Sequence, residues 1–282
     1  MTDRNQNPES CNGACETCGT DCPSRTGGAP DFRIEPHPRS SIRKMIGIVS
    51  GKGGVGKSFV TSALASEMQR RGYRTGVLDA DITGPSMGKV FGVTEKAMGD
   101  GELMYPAFTK TGIQVVTSNM LLQSDDQPIV WRGPVVAGLI KQFYQEVFWD
   151  RVDYMFVDMP PGTGDVPLTA FQSFPLDGII VVTSPQDLVS MVVEKAINMA
   201  RMMNIRVLGL VENMSWVECP DCGRKMYVFG ESHIEEVAAK FGTEVLARIP
   251  LDEKNARASD AGDIEDLEVE PLKKAADLIE TL

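Results

Sequence analysis

Residues 45–72 read MIGIVSGKGGVGKSFVTSALASEMQRRG, and no other stretch limits the fold so tightly. A short apolar run rich in β-branched residues reads as a buried strand, a glycine-rich turn follows without a spacer, and a helix-forming segment follows the turn. Inside the turn, Gly51, Gly56, Lys57 and Ser58 satisfy G-x-x-x-x-G-K-[ST]. Strand before and helix after is the setting in which that pattern builds a phosphate-binding loop, or P-loop. Its glycines let the backbone of Gly51, Lys52, Gly53, Gly54, Val55 and Gly56 turn N–H groups inward on phosphate oxygens, and the helix N-terminus adds partial positive charge. Lys57 is then placed to reach the β- and γ-phosphates, and the Ser58 hydroxyl to ligate magnesium.

The rest of the chain repeats the same grammar. Short apolar runs recur at TGVLDAD (75–81), GIQVVTS (112–118), YMFVDMP (154–160), DGIIVVTS (177–184), RVLGLVEN (206–213) and TEVLARIP (243–250), with helix-length segments between most of them, such as PVVAGLIKQFYQEVFW. Strands buried on both faces and alternating with helices predict an α/β fold, a doubly wound and mostly parallel sheet. The stretch from Gly92 to Gln114 breaks the alternation and reads as loop and hairpin. Residues 1–40, rich in Pro, Gly, Ser, Asn and charge, have too little apolar surface for a core and read as a flexible tail, leaving 41–282 as the nucleotide-binding domain.

Two acidic sites fall where open α/β sheets bind ligands, at the carboxyl ends of strands. LDADITGPS puts Asp79 and Asp81 there, to hold magnesium or position an attacking water, and FVDMPPGTGD closes an apolar run on Asp158, a magnesium ligand, with Gly162 to Asp165 as a switch sensing the γ-phosphate. The run VLGLVENMS ends in Asn213, an amide suited to an adenine edge; a guanine pocket of the N-K-x-D type would want an acid where Trp216 stands. ATP is therefore expected over GTP.

The additional lysine of KGGVGKS resembles the deviant Walker A motif of the MinD/ParA-like ATPases, a group that includes the nitrogenase iron protein. That resemblance implies that Lys52 reaches the partner's nucleotide across a homodimer, as an arginine finger does, and that Asp81 orients the water.

All six cysteines lie in two clusters, which in a reducing compartment points to metal before disulfides. Cys219 and Cys222 form C-x-x-C just past Asn213, and two thiolates do not close a tetrahedral site or hold a four-iron cluster. His233 as a zinc ligand, a redox dithiol, and completion by a two-fold partner are the alternatives, and symmetry is the most economical because Lys52 already calls for a dimer. With CPDCG following SGKGGVGKS, DADITGPS, DMPPGTGD and VENMS in this order, residues 42–260 resemble the Mrp family of iron–sulfur cluster carrier ATPases, relatives of ApbC. The family implies a homodimer that binds a labile [4Fe-4S] cluster at Cys219 and Cys222, hydrolyses ATP slowly and passes the cluster to apo-proteins. A positioning ATPase of the MinD/ParA kind and a nucleotide-gated electron-transfer protein are the rivals.

Cys11, Cys15, Cys18 and Cys22, followed by Pro23, approach ferredoxin-like ligation with the first gap one residue longer, so the tail is expected to hold its own [4Fe-4S] cluster, with zinc and free thiols as alternatives. Eukaryotic cytosolic relatives carry a four-cysteine tail of wider spacing. With 28 Lys plus Arg against 39 Asp plus Glu the chain has no charge surplus for a nucleic-acid surface. MTDRNQNPES leads into no apolar segment of signal type and no stretch matches a membrane span, which predicts a cytoplasmic protein. Residues 260–282 carry eight acids against two lysines, a tail that an anionic bilayer repels. Met191, Met199, Met202 and Met203 read as helix packing, and Trp131, Trp149 and Trp216 as packing residues, Trp216 with the option of shielding the cysteine loop.

Overall fold

The computed structural model describes residues 32–82, 84–95, 98–99, 103–121, 133–186 and 188–282. In chain order the elements are β1 (Ile42–Ser50), α1 (Lys57–Arg70), β2 (Thr75–Asp79), α2 (Met87–Val90), β3 (Met98–Gly99), β4 (Met104–Tyr105), β5 (Ala107–Phe108), β6 (Gln114–Val116) and α3 (Gly133–Gln145). Then come β7 (Val152–Asp158), α4 (Asp165–Ser173), β8 (Gly178–Thr183), α5 (Leu188–Met202), β9 (Val207–Glu212), β10 (Val217–Glu218), β11 (Lys225–Met226), α6 (Ile234–Phe241), β12 (Val245–Arg248), α7 (Glu253–Ala261) and α8 (Lys273–Glu280).

Eight strands form one sheet in the order β12-β9-β8-β1-β7-β2-β6-β5. Every pairing in it is parallel except β5 with β6. All seven strands expected from the sequence are present, and the irregular stretch contains the β3–β4 hairpin and the antiparallel edge strand β5.

Period-two alternation along the strands assigns side chains to the two faces. Met45 and Val49 of β1, Met155 and Val157 of β7, and Ile179 and Val181 of β8 pack with residues of α3, α4, α5 and α6. Their neighbours Ile46, Ile48, Phe156, Ile180 and Val182 pack on the other face with α1, α2 and α8. The chain builds β2 and β6 on one side of β1, returns to insert β7 beside β1, and then lays β8 on the opposite side. Around β1 the winding thus reverses, and the crevice beyond its carboxyl end is where such sheets place ligands.

Three expectations shift here. The folded unit begins at Arg33, earlier than residue 41: Ile34 packs against the α3/α4 face, its N–H donates to Ser173 O at 2.9 Å, and the Ser41 N–H donates to Trp149 O at 3.0 Å. The methionine stripe divides, with Met199 and Met203 on the core while Met191 and Met202 are exposed. The acidic C-terminal segment folds back onto the body. Ile264, Leu272, Ala275, Ala276 and Ile279 are buried, and the α1 end is clamped to it through Arg71–Asp277 at 2.8 Å and Arg71–Glu280 at 3.2 Å. Trp149 is wholly buried with its Nε1–H on Phe143 O at 3.1 Å. Cys11, Cys15, Cys18, Cys22 and Trp131 lie outside the described residues.

Candidate functional site

The P-loop leaves β1 at Ser50 and enters α1 at Lys57. Gly54 and Gly56 have φ of +79° and +81°, the left-handed region open to glycine without penalty. A Cβ on Gly56 would also overlap the Asn213 amide nitrogen, so position 56 is glycine on two counts. Gly51 lies against Val192 of α5 with no room for a side chain. The Val60 N–H bonds to Gly56 O at 3.0 Å and starts α1, aiming the unpaired N–H groups of its first turn at the loop.

Three side chains from the start of α1 converge on Asp158. Lys57 Nζ lies 2.6 Å from Asp158 Oδ1, the Ser58 hydroxyl donates to Oδ2 at 2.7 Å, and the Thr61 hydroxyl donates to Oδ1 at 2.7 Å. Lys57 is 6% exposed and Asp158 0%, so this is a buried ion pair whose carboxylate is further satisfied by two hydroxyls. Thr61 is a participant that the motif does not name. The only sequence signal for it is its place one helical turn beyond Lys57, which puts both on one face.

The two acids of LDAD have different jobs. Asp79 is completely buried and accepts from the N–H groups of Asp81, Ser86 and Met87 and from the Thr117 hydroxyl, each at 3.1 Å. Burial, then the nearby Asp158 carboxylate, push its pKa up to about 7. It therefore organises the loop from within, whereas Asp81 is partly exposed. Gly162, at φ +87°, donates its N–H to Ser50 O at 2.8 Å, which ties the loop after β7 to the root of the P-loop.

Lys52 extends over the surface and its Nζ donates to Gln186 Oε1 of the same chain, a contact that no motif predicts. Asn213, at the end of β9, donates its Nδ2–H to Val55 O at 3.1 Å and borders a cavity of about 120 Å³ lined by Gly56, Phe59, Met214, Pro250 and Leu251 among others. The amide thus braces the P-loop as well as facing the space beside it.

From Asn213 the chain runs into the β10–β11 hairpin, paired Val217 to Met226 and Glu218 to Lys225. Cys219 and Cys222 sit in its turn as free thiols, Cys222 exposed. The Cys219 N–H bonds to Arg224 O at 3.0 Å and the Gly223 N–H to Cys219 O at 2.8 Å, with Gly223 at φ +68° closing the turn. The N–H groups of Asp221 and Cys222, followed by the Cys222 thiol, hold the Cys219 thiol below its usual pKa range. Lys225 Nζ lies 3.8 Å from the centre of the Trp216 ring, and Met226, Tyr227, Val228 and Phe229 beyond it are exposed. His233 caps α6 with its Nδ1 3.3 Å from Glu236, and among the described residues no group of three His, Cys, Asp or Glu side chains is gathered to hold a metal. Among them, too, no helix is long and apolar enough to cross a membrane.

The chain is similar to several known proteins. A solved nucleotide-binding protein of Archaeoglobus fulgidus, in complex with ADP, is 41% identical, with a TM-score of 0.72 over 80% of this chain and 88% of that one. The cell division ATPase MinD of Pyrococcus furiosus, 21% identical over 84% of this chain and 98% of its own, shares the fold at a TM-score of 0.62. The iron–sulfur cluster carrier protein of Clostridium perfringens is 43% identical over 234 residues, 80% of this chain and 82% of the relative. The model of the ParA-type family described as NUBPL iron-transfer P-loop NTPase matches residues 41–282, and the chain belongs to that family.

Proposed function

We propose that this chain is an ATP-dependent iron–sulfur cluster carrier, which holds a labile [4Fe-4S] cluster as cargo between two copies of itself and passes it to apo-proteins. The observation that carries the proposal is the pair of thiols at the tip of an exposed hairpin rooted beside the P-loop, with no third ligand gathered next to it among the described residues. Two thiolates per chain and a two-fold axis give four, the number a [4Fe-4S] cluster takes. Exposure suits cargo that must leave, and the lowered Cys219 pKa supplies the thiolate form that binds iron.

ATP is the nucleotide, cradled by residues 51–58 with its base toward the cavity beside Asn213. The Ser58 hydroxyl and the Asp158 carboxylate are hard oxygen donors within 2.7 Å of one another, a set that fits magnesium. A magnesium ion held by Ser58 and Asp158 would supply charge neutralisation for the phosphates. Lys57 binds the β- and γ-phosphates, Asp81 orients the attacking water, and Lys52 turns from Gln186 to the partner's nucleotide, so that hydrolysis is slow until two copies meet. Cys11, Cys15, Cys18 and Cys22 form a second, tethered cluster site. The folded-back C-terminal segment, its apolar residues buried, supports a cytoplasmic carrier over a membrane-bound positioning ATPase.

Anaerobic purification with iron, sulfide and zinc analysis tests this, on the wild type and on chains lacking either cysteine cluster. Cys219→Ala with Cys222→Ala is expected to abolish transfer to an apo-acceptor. Zinc without sulfide in the wild type overturns the proposal.

A further inference from the structure

We propose that Glu212 is a positioning residue that couples the P-loop to the cysteine hairpin; what the coupling serves rests on Cys219 and Cys222 being the cargo ligands. Glu212 is the last residue of β9 and is only 1% exposed. Beyond it the chain departs from the sheet, makes the hairpin, and returns at Ser232 to begin α6. One carboxylate oxygen of Glu212 accepts from the Ser215 hydroxyl at 2.7 Å and from Arg248 Nε at 3.0 Å, and the other accepts from the Ser232 hydroxyl. Ser232 Oγ in turn accepts the Ile234 N–H at 3.2 Å, in the first turn of α6. A single buried carboxylate therefore joins the exit of the excursion, its return and the neighbouring strand β12.

The next residue holds the P-loop. Asn213 donates its backbone N–H to Thr183 O at 2.8 Å and its amide to Val55 O at 3.1 Å. Little slack separates the two attachments. Met214 has φ +60°, a left-handed conformation that a side chain with a Cβ adopts only under constraint. The constraint is visible in the Ser215 N–H on Ile249 O at 2.9 Å and the Leu251 N–H on Trp216 O at 2.8 Å. Arg248 extends the connection toward the hairpin, its guanidinium carbon 5.9 Å from the centre of the Trp216 ring, whose face Lys225 of β11 also covers. A displacement of Val55 and Gly56 on phosphate binding thus reaches the root of the thiol-bearing turn through two consecutive residues.

The test reads thiol reactivity and needs no cluster. Full-length protein prepared without cluster is alkylated with iodoacetamide, with and without saturating ATPγS, and Cys219 and Cys222 are followed by peptide mass spectrometry. In the wild type the nucleotide is expected to change the rate about fivefold, the low end of ordinary coupling between sites. In Glu212→Gln the ratio falls to about one, and in Ser232→Ala, which removes one hydroxyl from the root, it falls part of the way. A wild-type ratio of one overturns the coupling. So does a wild-type ratio preserved in the variants, because a merely structural role raises reactivity equally with and without nucleotide. If Glu212→Gln does not fold, Ser232→Ala decides alone, its unchanged ratio overturning the proposal. Iron and sulfide loading of the same wild-type preparation separates the two readings: failure to load defeats the carrier function and leaves the thiol ratio interpretable.

Discussion

The P-loop leaves the sheet at the carboxyl end of β1 and the cysteine hairpin at that of β9, yet the two are built on opposite physical terms. At the P-loop a lysine and two hydroxyls converge on one fully buried aspartate, each bonded to its carboxylate at 2.6 to 2.7 Å. At the hairpin the paired strands are two residues each, Cys222 is exposed, and the apolar residues Met226 to Phe229 that follow are exposed as well. Charge recognition gains from a dry, preorganised setting, where electrostatic interactions are strongest and need no rearrangement. On the function proposed above, the thiols must surrender their cargo to another protein, and for that the reverse setting is the gain. The root of the hairpin is nevertheless anchored by the buried Glu212.

The contrast is most severely tested by its two lysines. Lys57→Ala removes one partner of a buried pair and leaves Asp158 charged in the core; a loss of about 3–5 kcal/mol of stability is expected, together with loss of hydrolysis. Lys52→Ala deletes an exposed side chain and is expected to leave stability within about 0.5 kcal/mol while hydrolysis is lost as well. Chemical denaturation and phosphate release on the two variants check both halves. Equal stability costs would break the distinction between the buried and the peripheral lysine.

Gly56→Ala comes next. A left-handed conformation costs a residue with a Cβ about 1–2 kcal/mol, and displacing the Asn213 amide from Val55 O adds about 1 kcal/mol. Melting and nucleotide titration should therefore show loss in both. Thr61→Val keeps the shape of the side chain and removes one hydroxyl from a charged acceptor, for an expected cost of about 1.5–2 kcal/mol. A negligible cost would mean that Lys57 and Ser58 alone satisfy Asp158.

How far the sequence disclosed this differs between the two regions, and for a physical reason. Strands, the P-loop and Asp158 were legible because burial on both faces writes itself as unbroken apolar runs, and because phosphate cradling restricts which residues fit a turn. Thr61 was not, since its bond to Asp158 spans 97 residues and no local pattern records which polar groups meet across a sheet. The same holds for Gln186 beneath Lys52 and for Glu212, an acid at a strand end indistinguishable in sequence from any other. In the C-terminal segment eight acids conceal a folded element whose alanines and isoleucines face inward and whose charges pair with Arg71, Lys89 and Lys110. The Pro-rich residues before β1 likewise conceal Ile34, whose partners lie more than a hundred residues away.

At the hairpin the expected effects are smallest in energy and are read best in chemistry. The Cys219 thiol is held below its ordinary pKa by N–H groups of its own turn, which raises its thiolate fraction at neutral pH over that of an unperturbed cysteine. Alkylation of Cys219 in the cluster-free protein should then reach half its plateau rate at a lower pH than an unperturbed cysteine does. Lowering the pH through this midpoint protonates the thiol and withdraws a ligand, so cluster loading is expected to weaken on the acid side and be regained on the alkaline side. Cys222→Ala removes one of the donors to Cys219, and the midpoint should move back up toward the ordinary value without returning to it, because the backbone N–H groups remain. A midpoint that ignores this substitution would assign the shift to the backbone alone, and one at the free-cysteine value in the wild type would show that the turn is shaped for geometry and leaves thiolate chemistry untouched.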